Sequence, residues 1–162
     1  MNILLTVERA TALPSPTDGA IQTWIAQVLT RAEGLKGGNP EISIRIADQA
    51  EAAQFNQTYR SKTGPTNVLS FPANLPPDTG SGLLGDLVIC APLVRKEAAQ
   101  QHKSEEAHWA HLVIHGVLHL LGYDHTDAAD AQHMEALEID LLDCLGFPNP
   151  YESAQSPKGV LA

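Results

Sequence analysis

The eleven residues HGVLHLLGYDH, 115–125, constrain this chain more than any other stretch. His115 and His119 are four apart, so on a helix both imidazoles leave one face with Cβ atoms about 5–6 Å apart. That separation lets two nitrogens reach one ion at about 2.0–2.1 Å each. Gly122 adopts a positive φ at little cost, so it can stop the helix and turn the chain back. His125 then approaches the same ion from beyond the helix end. Three imidazoles leave a fourth tetrahedral position for water, the arrangement of a catalytic rather than a closed structural zinc. Imidazole also suits copper, nickel and iron, so zinc is the first choice and not the only one.

A lone histidine on an apolar helix face is usually a hydrogen-bonded core residue. Three within eleven residues, around a helix-breaking glycine, make a different pattern. His111 and His108 lie further upstream on the same predicted helix. A ligand set of His111, His115 and His119 would span about 12 Å over two straight turns, too far for one ion. His111 is therefore read as a supporting or packing residue, and His102 and His133 as surface residues.

The spacing is that of metzincin peptidases, but those carry a glutamate after the first histidine, and here Gly116 stands there. Glycine cannot take a proton from water. A bound metal that lowers the pKa of water from 15.7 to about 7 still permits hydrolysis. Peptide cleavage is disfavoured, because a poor amine leaving group needs a proton donor.

The rest of the chain reads as one domain, 1–150, followed by a flexible tail, 151–162, without periodic signal. Residues 2–8, 41–47, 66–72 and 85–91 have strand character, and Ile42, Ile44 and Ile46 alternate with polar neighbours. Helical periodicity covers 18–33, with Ile21, Trp24, Ile25, Val28 and Leu29 on one face. A second helix, 48–59, opens on Asp48 with Glu51 three residues on, a capping-box arrangement. Further helices follow at 92–100, from Ser104 to a stop at Gly122, and over 127–145. The last carries an apolar stripe of Met134, Leu137, Leu141 and Leu145. Met134 is read as core rather than as part of a metal turn.

Charge narrows the functional classes. The net charge is −9, and residues 104–162 hold ten acidic side chains against one basic, Lys158. Residues 1–103 hold nine of each. A uniformly basic nucleic-acid binder is excluded, and any RNA would need a local cluster such as Arg60 with Lys62. Cys90 and Cys144 belong to no C-x-x-C pair and are read as buried reduced thiols. No apolar run approaches the ~18 residues of a membrane span. The start of the chain lacks the marks of a signal peptide, so a cytoplasmic protein is expected.

The histidine motif resembles the signature of the YbeY family of bacterial metal-dependent endoribonucleases. NQTYRSKTGPTNVLSFP, 56–72, is similar to that family's second motif, and GDLVIC, 85–90, to its third, in the same order along the chain. The resemblance implies a small α+β fold with a central sheet of about four strands. It implies one zinc ion on His115, His119 and His125, on a helix ending at Gly122. It also implies endonucleolytic action in maturation of the small-subunit ribosomal RNA 3′ end and in ribosome quality control. The expected partners are ribosomal RNA and ribosome-associated proteins, with no membrane and no DNA. Arg60 matches the family's functionally important arginine. The chain departs at Thr63 and Asn67, where aspartate is common in the family.

Phosphodiester hydrolysis builds negative charge on the non-bridging oxygens, which a guanidinium meets with two parallel hydrogen bonds. Arg60 is expected to neutralise that charge beside the metal. Without the resemblance it would read as a cation at a helix end, favourable there in any case. Asp124 either orients a ligand imidazole or caps a turn, and the side on which Asp86 faces stays open. Two other readings remain: a metal hydrolase of a non-RNA, peptidase-like substrate, and a ribosome-assembly factor with a structural zinc.

Overall fold

The computed structural model describes residues 2–32, 35, 38–76, 80–124 and 126–152. Its element order is β1 (Leu4–Ala10), α1 (Asp18–Arg31), β2 (Glu41–Ala47), α2 (Gln49–Arg60), β3 (Val68–Pro72), β4 (Leu83–Cys90), α3 (Ala91–Gln100), α4 (Glu105–Leu120) and α5 (Ala128–Cys144). The four strands form one sheet in the order β1-β2-β4-β3. β1 and β4 run parallel to β2, and β3 is antiparallel to β4 at the edge. The α+β architecture expected from sequence is therefore present.

One face of the sheet carries the main core. Ile42, Ile44 and Ile46 of β2 pack there with Leu84, Leu87 and Ile89 of β4, against α1 and α4. A bulge between β2 and β4, where Glu41 pairs with Leu83 and Ile42 with Gly85, gives Leu84 and Leu87 the same side despite their odd spacing. α5 packs on α4 through Met134, Leu141 and Leu142. The opposite face is covered in part by α2, with Phe55 and Phe71 around Ala47, Leu69 and Val88.

α4 is the central helix. Ser104 caps it by accepting from the Ala107 amide, with Glu105 and Glu106 in the first turn. Trp109, Leu112, Val113, Ile114, Val117 and Leu118 are buried, and each stabilises by about 1.5–3 kcal/mol relative to exposure. A helix held this firmly is a rigid platform for the side chains on its remaining face. It ends at Leu120, and Gly122 has φ +103°, as its role in turning the chain requires.

Two expectations change, and the side on which Asp86 faces is decided. Asp48 begins α2 without a side-chain cap: it accepts from the Thr11 hydroxyl instead, and Arg45 takes Glu51 in two hydrogen bonds of 2.8 and 2.9 Å. Tertiary partners displaced the local capping box. Cys90 is buried as expected, but Cys144 is exposed. It stands off the apolar stripe of α5 at the helix end, where Arg31 reaches its sulfur. Asp86 is exposed on the sheet face opposite α4, beside Phe71 and Arg45. In the expected tail, residues 153–162 lie outside the described residues, and Tyr151 packs on the domain.

Candidate metal centre and cleft

A cleft of about 520 Å³ runs along the open edge of the sheet. β3 presents Val68, Ser70 and Pro72 to it on one side of the strand, as the two-residue period requires. α4 contributes His115 and His119, the turn after it Gly122, Tyr123 and Asp124, and the end of α2 Arg60. Thr66 and Asn67 close the end nearest α3.

Local structure explains each placement. Arg60 is the last residue of α2, after which Ser61 turns left-handed at φ 55°. The buried Asn56 donates to the Gly64 carbonyl at 2.8 Å, holding the following loop against the helix. Arg60 itself is exposed and makes no hydrogen bond or ion pair among the described residues. Its donors are thus not consumed by a carboxylate of the fold.

His115 and His119 approach one another across one helical turn, with their Nε2 atoms 3.2 Å apart. For nitrogens bound at about 2.0–2.1 Å, the edge of a tetrahedron is about 3.3 Å. The separation fits two ligands of one ion. The proton placement fits as well. The Nδ1 of His115 lies 2.7 Å from Oε2 of Glu138, and an ionised carboxylate only accepts. His115 therefore carries its proton on Nδ1, and its Nε2 offers a lone pair toward His119. A carboxylate behind a ligand imidazole is a common way to fix its tautomer and ring plane.

Glu138 is wholly buried, and α5 supplies it in the midst of its apolar stripe. Burial alone would raise its pKa. Hydrogen bonds from His111 and His115 outweigh that and hold it at about 2. His111 Nε2 donates to Oε1 at 2.8 Å, and the Tyr151 hydroxyl donates to the same oxygen. Tyr151 also meets the His111 ring edge-on, with centroids 5.4 Å apart. Burial, aided by the Glu138 charge, raises the Tyr151 pKa, and burial lowers that of His111. Both stay neutral donors.

His111, His115 and Glu138 also bring three possible ligand atoms within 4.8 Å of one another. The contacts of 2.7 and 2.8 Å are those of direct hydrogen bonds, and Glu138 has no exposed surface on which to leave a position open. We read this group as the support behind the metal face. His125, the third expected ligand, lies outside the described residues. Asp124 before it lines the cleft.

The position after His115 is explained by packing. A Cβ on Gly116 would stand 2.8 Å from Leu87 Cδ2 and 3.4 Å from Val68 Cγ2. The helix touches the sheet here, and Ser70 donates to the Gly116 carbonyl at 3.2 Å. Where a metzincin places its glutamate, this fold places the floor of its core.

Sequence reading missed Glu138. Its signal was available: a carboxylate between Met134 and Leu141, on a stripe that otherwise buries apolar groups. It also missed a second buried network, in which His108 Nε2 and Asn67 Nδ2 both reach Oε1 of Glu97, at 2.8 and 3.1 Å.

Comparison with known proteins agrees with the geometry. The family model described as Endoribonuclease YbeY matches residues 8–146. The chain is 51% identical over 147 residues to Endoribonuclease YbeY of Methylococcus capsulatus, covering 91% of this chain and 94% of that protein. It is 49% identical over 156 residues to the protein of the same name from Nitrosococcus oceani, covering 94% and 99%. The solution structure of TM1509 from Thermotoga maritima has the same fold, with a TM-score of 0.54 at 18% identity over 92% of this chain and 99% of that one. A family match that runs from β1 past α5, and so takes in every element lining the cleft, leads to one conclusion: this chain belongs to the YbeY family of endoribonucleases.

Proposed function

We propose that the chain is a zinc-dependent endoribonuclease that hydrolyses RNA phosphodiesters in ribosomal RNA maturation, at the small-subunit 3′ end, and in ribosome quality control. The reading rests on membership of the family and on one observation. Arg60, with no partner among the described residues, shares a cleft with the paired Nε2 atoms of His115 and His119. Its partners would be ribosomal RNA and ribosome-associated proteins in the cytoplasm. No helix among the described residues is long and apolar enough to cross a membrane.

His115, His119 and His125 would hold the ion, which when bound supplies Lewis-acid polarisation of a phosphate oxygen and a lowered pKa for water. Glu138 keeps the His115 proton on Nδ1 and the ring in plane. Arg60 binds the non-bridging oxygens through a planar pair of N–H groups and meets the charge that grows there in the transition state. Packing of α4 on β3 holds His115 and His119 at fixed separation, so little reorganisation of the paired imidazoles is needed as the reaction proceeds.

The test uses purified protein, a structured RNA and casein, with and without chelator. RNA cleavage is expected to disappear with chelator and with His115→Ala. Arg60→Ala should lower it by roughly 10²–10³-fold, the scale of losing one transition-state donor. Cleavage that persists in His115→Ala would assign the activity to a contaminant. Casein turnover would favour a peptidase-like hydrolase. One zinc per chain without turnover on either substrate would favour a structural metal in an assembly factor.

A further inference from the structure

Asn67 lines the cleft at its α3 end, in the bend that enters β3. Its backbone is fixed by the Cys90 amide, which donates to its carbonyl at 2.9 Å. Its side-chain amide is fixed separately. Nδ2 lies 3.1 Å from Oε1 of Glu97, on α3. Amide orientation is ordinarily ambiguous between oxygen and nitrogen, but an ionised carboxylate accepts only. The group facing Glu97 is therefore NH₂, and Oδ1 is turned away from it.

Glu97 is held in turn by His108, whose Nε2 donates to the same oxygen at 2.8 Å from a ring only 3% exposed. Burial alone would raise the pKa of Glu97. The hydrogen bonds from His108 and Asn67 and the nearby charge of Lys103 keep it below the usual range. The carboxylate stays ionised, so the Asn67 amide stays locked. Its Oδ1 accepts from no described residue and is not among the polar atoms sealed in the interior. A fixed carbonyl acceptor is thus available in a cleft lined by Arg60, His115 and His119.

An acceptor has few partners on a nucleic-acid strand. Phosphate and ring oxygens only accept. The ribose 2′-hydroxyl is the one backbone group that donates, and it is absent from DNA. We propose that Asn67 reads a ribose 2′-hydroxyl next to the cleaved phosphate, with Glu97 and His108 as its positioning residues, and so makes the cleft selective for RNA. The assignment rests on the endoribonuclease reading above. It names the residue that enforces that specificity.

The experiment pairs protein and substrate changes. A short single-stranded RNA with one cleavage site is compared with versions bearing a single 2′-deoxy nucleotide at each position around that site, for wild type, Asn67→Ala and Glu97→Gln. At one position the wild type should lose about 3–10-fold in kcat/KM, the size of one hydrogen bond. Asn67→Ala should cut the all-ribose substrate by a similar factor and bring the ribose-to-deoxyribose ratio at that position within about twofold of one. Glu97→Gln keeps the shape of the side chain but lets the Asn67 amide turn over, so its ratio should fall between the two. That variant decides the matter if Asn67→Ala fails to fold.

An unchanged ratio in both variants, with cleavage retained, overturns the assignment. So does a wild type indifferent to deoxyribose at every position. A deoxy position that blocks cleavage totally in wild type and variants alike would mark that hydroxyl as the nucleophile, and also overturns it. A ratio that changes with the base at that nucleotide would assign the oxygen to a base N–H instead. Absence of any RNA cleavage by the wild type overturns the endoribonuclease reading itself, a separate result.

Discussion

Glu138 and Gly116 show how much one residue decides here. Glu138 is an ionised group without solvent, tolerated because three donors converge on its two oxygens. In Glu138→Gln one oxygen remains to accept, and the new NH₂ faces an imidazole that already donates. One histidine must then move its proton, and if it is His115 the lone pair facing His119 is lost. Zinc affinity should fall about 10–100-fold, the usual effect of removing a carboxylate behind a ligand. Competition against a chromophoric chelator measures it, and unchanged affinity would refute the support role. Gly116→Ala tests packing alone. Leu87 must give way in a fully buried site, at a cost of about 1–3 kcal/mol. A chain of this size should lose about 2–4 °C in Tm per kcal/mol. Thermal denaturation at an unaltered midpoint would show that the contact is slack.

Among the elements, α4 and β3 make the cleft between them, and α3 and α5 lock it from behind. Each backing helix brings one carboxylate to one or two histidines of α4: Glu97 to His108, and Glu138 to His111 and His115. The α3 link makes a pH prediction. Glu97 has a folded pKa below its unfolded value, so its contribution to stability is complete above the unfolded pKa of about 4.3. It is lost as pH falls through the lower folded value. Wild type should therefore exceed Glu97→Gln in stability near neutrality, and the gap should close as pH falls through the folded value. Urea denaturation at stepped pH reads this directly. A gap that is the same at every pH would mean that the charge on Glu97 contributes nothing.

For the whole molecule the uneven charge matters most. Arg9, Arg31, Arg45 and Arg95 each meet a carboxylate, whereas Arg60 and Lys62 form no ion pair among the described residues. α5 exposes Asp130, Glu135, Asp140 and Asp143. RNA is repelled from that helix, and at the cleft it meets Arg60, with Lys62 two residues on, neither held by an ion pair among the described residues. With two phosphates neutralised, log–log salt dependence of single-strand binding should have a slope of about −1.4. Fluorescence anisotropy of a labelled oligonucleotide over a salt series gives the slope. A value steeper than about −5 would require a broad basic surface that this charge pattern does not provide. Such weak electrostatic capture is what the proposed presentation of substrate by ribosome-associated partners would require.

Local pattern was enough to specify the elements. The alternating isoleucines of β2, the 3.6-residue stripe of α1 and the break at Gly122 are properties of neighbouring residues, and each appears where its period puts it. The pairing of His115 with His119 is local in the same way, since one helical turn separates them. Packing decided what joins positions far apart in the chain. Glu138 comes to His115 across 23 residues and Asn67 to Glu97 across 30, and no local period records either meeting. Asp48 and Glu51 show the reverse: a local capping signal gave way because Thr11 and Arg45 arrive from other elements. Side-chain partners of comparable strength compete for the same groups, and only the tertiary arrangement determines which of them is within reach.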